Sequence, residues 1–129
     1  MPLIDVFNGD ADGLCALHQL RLDAPADSKL VTGPKRDISL LKRVEAQSGD
    51  RVTVLDIALS KNRDALDKLL EAGMQVRYFD HHQSGDIPVH PNFESYIDTD
   101  ANVCTSLLVN RHLQGRQQAW AVTGAFGTR

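Results

Sequence analysis

The sequence has few cysteines, no long apolar run and no excess of charge of one sign. Only Cys15 and Cys104 occur in 129 residues, each inside an apolar helical pattern, so a disulfide scaffold is excluded and two reduced core thiols are expected. No apolar stretch approaches the roughly eighteen residues of a membrane-spanning helix. The first residues lack the charged, apolar, small-residue order of a secretory leader, which makes the cytoplasm the expected compartment. A net charge of −3 excludes an overtly basic nucleic-acid binder; any grip on a polyanion has to be local or act through bound cations.

What is present is an alternation of strand and helix patterns, which argues for βαβ units and a parallel sheet in one domain. Leu3–Phe7, Lys29–Thr32, Val52–Leu55, Met74–Phe79 and Ser95–Asp98 read as strands. Between them, residues 13–22 carry Leu14, Leu17 and Leu20 at helical spacing, with Asp12 as a candidate cap. A second helix is expected after the Gly33-Pro34-Lys35-Arg36-Asp37 turn, with Leu41 and Val44 in its buried stripe. A third should open at Ser60 and stop at Gly73. Gly85, Pro88 and Pro91 imply a loop; helices are expected from Thr99 or Asp100 and from Gln117 to Phe126. The expected fold class is a doubly wound α/β domain, mainly parallel, with helices on both faces of the sheet in three layers.

Three of the strands end abruptly in ionisable residues. Leu3–Phe7 runs into Asn8-Gly9-Asp10-Ala11-Asp12-Gly13, Val52–Leu55 into Asp56, and Met74–Phe79 into Asp80-His81-His82. The carboxyl ends of parallel strands are where such sheets bind their ligands, so Asp10, Asp12, Asp56, Asp80, His81 and His82 are expected on one rim. Carboxylates gathered there repel: two unit charges about 4 Å apart cost about 4 kcal/mol at an effective dielectric near 20. Divalent cations are the natural neutraliser, with raised carboxyl pKa values as the fallback. Carboxylate and imidazole ligands without thiolate suit Mn²⁺, and Mg²⁺ less specifically, rather than structural zinc. Two such ions need at least one shared carboxylate, for which Asp56 is the candidate, and together they activate water for in-line attack on phosphorus. Lys35 and Arg36, at a helix start, are candidate phosphate contacts. His18 and His112 are expected at the surface, His90 away from the rim, and Trp120 in the core or at an interface.

With those residues in view, the chain resembles the DHH phosphoesterase family, through Asn8-Gly9-Asp10-Ala11-Asp12-Gly13, the lone Asp56 and Phe79-Asp80-His81-His82. The resemblance implies two Mn²⁺ or Mg²⁺ ions, Asp10 and Asp56 holding one and Asp12, Asp56 and His81 the other. It further implies that His82 faces the phosphate, that Asp80 is an acceptor for the histidines or a ligand, and that Thr105 and Ser106 come near the substrate, with helix capping or plain exposure as their alternative role. Its expected activity is hydrolysis of phosphodiesters in nucleotides or short single-stranded oligonucleotides. The alternatives are a pyrophosphate or polyphosphate hydrolase, or a nucleotide- or metal-binding module without catalysis. The sequence departs from the family pattern in three ways. Asn8 stands where the family often has histidine or aspartate, and a neutral amide should weaken the first ion's site. A later fourth-motif aspartate has no clear counterpart, Asp98 and Asp100 being the nearest candidates. The second, substrate-gripping domain of the family is not expected within residues 1–129, which are expected to be a single DHH-type domain shortened at its carboxyl end.

Overall fold

Each expected strand forms, and all of them run the same way. The computed structural model describes residues 3–25, 28–33, 40–44, 49–82, 84–100 and 103–127. In chain order the elements are β1 (Leu3–Asn8), α1 (Ala11–Asp23), β2 (Ser28–Gly33), a 3₁₀ turn (Leu40–Arg43), β3 (Arg51–Leu55), a second 3₁₀ turn (Leu59–Lys61), α2 (Arg63–Glu71), β4 (Gln75–Asp80), β5 (Phe93–Ile97), α3 (Thr105–His112) and α4 (Gln118–Gly127). The five strands form one sheet in the order β2-β1-β3-β4-β5, every pair parallel.

The strands read as nearly continuous apolar runs because both faces of the sheet are covered. Ile4, Val6, Val52, Val54, Val76 and Tyr78 point to one face, where Leu66, Leu69 and Leu70 of α2 and Leu40 and Leu41 of the first 3₁₀ turn close over them. Phe7, Leu55 and Phe79 point to the other, against Ala16, Leu17 and Leu20 of α1 and Val109 and Leu113 around α3. The result is a three-layer α/β/α arrangement. In register, Phe7 lies beside Leu55 and Leu55 beside Phe79. The residues that follow each of them therefore emerge at one level of one edge.

Several helices start elsewhere than local pattern predicts. The helix expected from Ser60 is divided, a 3₁₀ turn preceding α2, with the buried Asn62 between them. The Asn62 side chain donates to the Ala58 carbonyl at 2.9 Å and accepts from Leu41 N–H at 3.3 Å, tying the junction to the neighbouring turn. Gly73 ends this segment as expected, with a φ of +88° that favours glycine. The second expected helix contributes Leu40–Arg43; Lys35, Arg36 and Asp37 lie outside the described residues. The helix expected at Thr99 or Asp100 begins at Thr105 instead, for a reason that lies in the rim. Cys15 and Cys104 are both free and buried, as expected. Among the described residues no helix is long and apolar enough to cross a membrane.

Candidate metal centre

The rim is built from the ends of β1, β3 and β4, with β3 in the middle. At the end of β1 the chain turns sharply into α1. Asp10, not Asp12, is the helix cap: its Oδ1 accepts from Gly13 N–H at 2.9 Å. Gly13 then packs directly on β1, where an added Cβ would collide with the carbonyl oxygen of Asn8. Because that neighbour is backbone and cannot swing aside, Gly13→Ala should cost about 2 to 3 kcal/mol. Urea denaturation checks this, and a variant as stable as the parent would show that the turn yields.

Freed from capping its own helix, Asp12 is fully buried and turns to a helix 93 residues away. Its Oδ2 accepts from Thr105 N–H at 3.1 Å and its Oδ1 from Ser106 N–H at 2.7 Å. A carboxylate accepting the first free N–H groups of α3 is an N-cap supplied from a distance. It explains why α3 begins at Thr105 rather than at Thr99. The Ser106 hydroxyl donates back to the Asp12 carbonyl at 2.9 Å. Ser106, expected to approach a substrate, is instead completely buried, and its hydroxyl is spent on positioning Asp12.

Asp56 follows β3 and adopts a φ of +63°, a left-handed conformation uncommon outside glycine and tolerated best by aspartate and asparagine. Such a backbone is held only where the surroundings demand it; here it aims a buried carboxylate along the rim. Asp56 Oδ1 lies 3.0 Å from His81 Nε2 and accepts from the Thr105 hydroxyl at 3.0 Å. His81 Nε2 is also 3.6 Å from Asp12 Oδ2. Beside this group, His82 Nδ1 lies 2.6 Å from Asp80 Oδ1, and the two imidazoles sit with ring centroids 4.4 Å apart. One ligand atom each from Asp56, Asp80, His81 and His82 falls within 4.8 Å of the others. Asp12 joins through His81, and Asp10 is near enough to act on the Asp56 carboxyl.

The electrostatics are those of an acidic cluster short of cations. Burial pushes the Asp56 carboxyl up to about 7, and the Asp12 and Asp10 carboxylates add to the rise, against the opposing hydrogen bond from His81. His81 is raised chiefly by its bond to Asp56, and His82 chiefly by its bond to Asp80. Among the described residues the ion-pair partners of Asp12, Asp56 and Asp80 are these histidines, with no lysine or arginine. Two acceptor atoms on the rim strands, Asp80 Oδ2 and Asn8 Oδ1, are buried without a hydrogen-bond partner among the described residues. Orphaned buried acceptors are uncommon in proteins; oxygens left bare beside imidazoles and further carboxylates fit a divalent cation of the Mn²⁺ or Mg²⁺ kind.

Other expected positions resolve differently. Asp98 leaves β5 next to the rim, where its backbone N–H bonds the Asp80 carbonyl, but its carboxylate is committed to Arg111 at 3.2 Å and to the Asp100 N–H at 3.0 Å. His90 lies at the opposite edge, accepting from the N–H of Asn92 just before β5. His18 is exposed as expected, with Trp120 packed edge-on at 4.3 Å; Trp120 is itself 41% exposed rather than in the core. His112 is not a simple surface residue. It is half-buried against Phe79 and Tyr96, at 5.3 and 4.8 Å between centroids, and burial lowers its pKa. Sequence reasoning misses Thr105 as the support of Asp56 and Asp12 as the cap of α3, since neither leaves a local signal.

The fold recurs in solved structures. No known protein family matches the chain by sequence profile, and no curated protein matches it by sequence. An exonuclease RecJ determined with manganese bound superposes with a TM-score of 0.65 at 20% identity, over 97% of this chain and 38% of that one. RecJ from Thermus thermophilus in complex with Mn²⁺ gives 0.57 at 21% identity, over 95% and 21%. An uncharacterised protein from Helicobacter pylori gives 0.59 at 20%, over 90% and 37%. The chain thus spans well under half the length of each of these structures, and at such identities the likeness is one of fold.

Proposed function

We propose that the rim is a two-ion phosphoesterase centre and that residues 1–129 form a single DHH-type catalytic domain hydrolysing phosphodiester bonds in nucleotides or short single-stranded oligonucleotides. The observation that carries this reading is the convergence of Asp56, Asp80, His81 and His82 within 4.8 Å beside acceptors that no group among the described residues satisfies. Asp10, Asp12, Asp56 and His81 would hold the ions, Asp56 being common to both and Asn8 contributing a neutral oxygen. Bound Mn²⁺ or Mg²⁺ supplies charge neutralisation and Lewis acidity toward water and phosphoryl oxygen. The presence of manganese in two of the fold neighbours, both RecJ, supports the choice of ion.

The chain's own residues do the rest. Asp80 engages His82 through Nδ1, so the proton that faces substrate is carried on Nε2. The same bond raises the His82 pKa, which keeps the imidazole protonated closer to neutrality, able to bind a phosphoryl oxygen and to give a proton to the departing alkoxide. Thr105 and Ser106 hold Asp56 and Asp12 in place without meeting substrate.

Incubating the chain with Mn²⁺ and a panel of short oligonucleotides, cyclic dinucleotides and pyrophosphate tests the reading. Metal-dependent release of mononucleotides, abolished by a chelator, is expected; hydrolysis of pyrophosphate alone would overturn the substrate class. A pH effect follows as well. An ion can be held only after protons leave Asp56 and His81, both raised, so Mn²⁺ affinity should fall about tenfold or more between about pH 8 and about pH 6. Calorimetric titration reads this directly, and a pH-independent affinity would place the ion elsewhere.

A further inference from the structure

The face of the sheet covered by α1 and α3 changes from apolar to polar toward its amino-terminal edge. Below the Phe7, Leu55 and Phe79 row, the next row across the strands is Asp5, Thr53, Arg77 and Glu94, in register on β1, β3, β4 and β5. It opens into a cavity of about 430 Å³ at the amino-terminal edge, opposite the rim, into which Arg21, Arg51 and Arg77 converge. That volume is in the range of small-molecule sites.

The three guanidinium groups are not equally occupied. Arg21 is held by Asp5 through two bonds of 2.9 and 2.7 Å, and Ser28 donates a third to the same carboxylate. Arg77 lies half-buried over the Phe79 ring, its centre 5.6 Å from the centroid, and spends one N–H on the Thr53 hydroxyl at 3.3 Å. Arg51, exposed at the start of β3, has no side-chain partner among the described residues. Against these stand Asp5, already neutralised, and Glu94, which is exposed and accepts from the Tyr96 hydroxyl at 3.0 Å. Burial, and then the neighbouring Arg21, make Arg77 hold its proton less firmly. Among the described residues the cavity therefore has unspent forked donors and a surplus of positive charge, the combination that recognises phosphate oxygens in pairs.

We propose that this cavity is a second anion site, separate from the rim, which takes a phosphate group through Arg51 and Arg77. Arg77 precedes Asp80 by three strand residues, about 10 Å, so an anion seated here is not one undergoing reaction at the carboxylates. The phosphate is either free or the terminal group of a nucleotide. In the second case the remaining volume houses the sugar, and the site senses the nucleotide pool apart from turnover.

Chelator-treated protein, which cannot retain ions at the rim, is titrated with inorganic phosphate and separately with a nucleoside monophosphate while backbone amide resonances are followed. Phosphate should move the amides of Arg51, Thr53, Gln75 and Arg77 and leave those of Asp56 and His81 in place. Arg51→Gln should weaken binding about tenfold and Arg77→Gln should abolish it; if Arg77→Gln does not fold, Arg51→Gln decides alone. Tighter binding of the nucleotide identifies a nucleotide site, and equal affinities identify free phosphate. Shifts confined to the rim, no shifts at all, or unchanged affinity in Arg51→Gln would overturn the proposal, whatever the fate of the phosphoesterase reading.

Discussion

Replacing Asp56 by asparagine is expected to lower Mn²⁺-dependent hydrolysis by about a thousandfold while making the metal-free protein more stable. The loss corresponds to roughly 4 kcal/mol of transition-state stabilisation, as befits a carboxylate shared by both ions. The gain has the opposite origin. The folded-state pKa of Asp56 stands at about 7, above its unfolded value of about 4. Ionising it in the fold therefore costs stability that accumulates as pH rises from about 4 to about 7. Asparagine removes that cost, keeps an oxygen for the Thr105 hydroxyl, and tolerates the φ of +63°. At about pH 8 the variant should gain on the order of 2 kcal/mol, or about 5 to 8 °C in melting temperature, and near pH 4 the difference should vanish. Thermal unfolding at both pH values with chelator present reads it. A variant less stable at the higher pH, or one that retains turnover, would contradict the role given to Asp56.

Asp12→Ala should do the reverse for stability although it sits in the same cluster. Asp12 closes the first turn of α3 with bonds to the N–H groups of Thr105 and Ser106. Removing it strands buried donors at about 1 to 3 kcal/mol each and uncaps a helix. Relief of repulsion with Asp56 returns about 1 kcal/mol, leaving a net loss of about 3 kcal/mol. Asp12→Asn, which keeps one acceptor, should lose about half as much. Urea denaturation of the metal-free proteins ranks the series, and an alanine variant as stable as the parent would show that α3 does not depend on this carboxylate. The contrast separates two acids that a count of charges would treat alike: one is strained in place, the other holds the fold together.

Much of this is legible in the sequence, because strand ends are local. An apolar run of two or three β-formers on each face followed by Asp56 or by Asp80-His81-His82 marks both a strand and the point where it meets solvent, and parallel order brings those points together. The capping of α3 is not legible, since Asp12 and Ser106 are 94 residues apart and Asp12-Gly13 reads locally as the start of its own helix. Ser106 misleads for the same reason; a hydroxyl early in a helix looks solvent-facing until α4 and Asp12 close over it. Likewise the polar row of Asp5, Thr53, Arg77 and Glu94 interrupts each strand singly and acquires meaning only in register.

Diffraction from crystals grown with Mn²⁺, collected at the manganese absorption edge, would show whether the rim holds the ions. Anomalous peaks enclosed by Asp10, Asp12, Asp56 and His81 are expected. Ordered rim side chains with no peak among them, and manganese bound only elsewhere on the molecule, would contradict it.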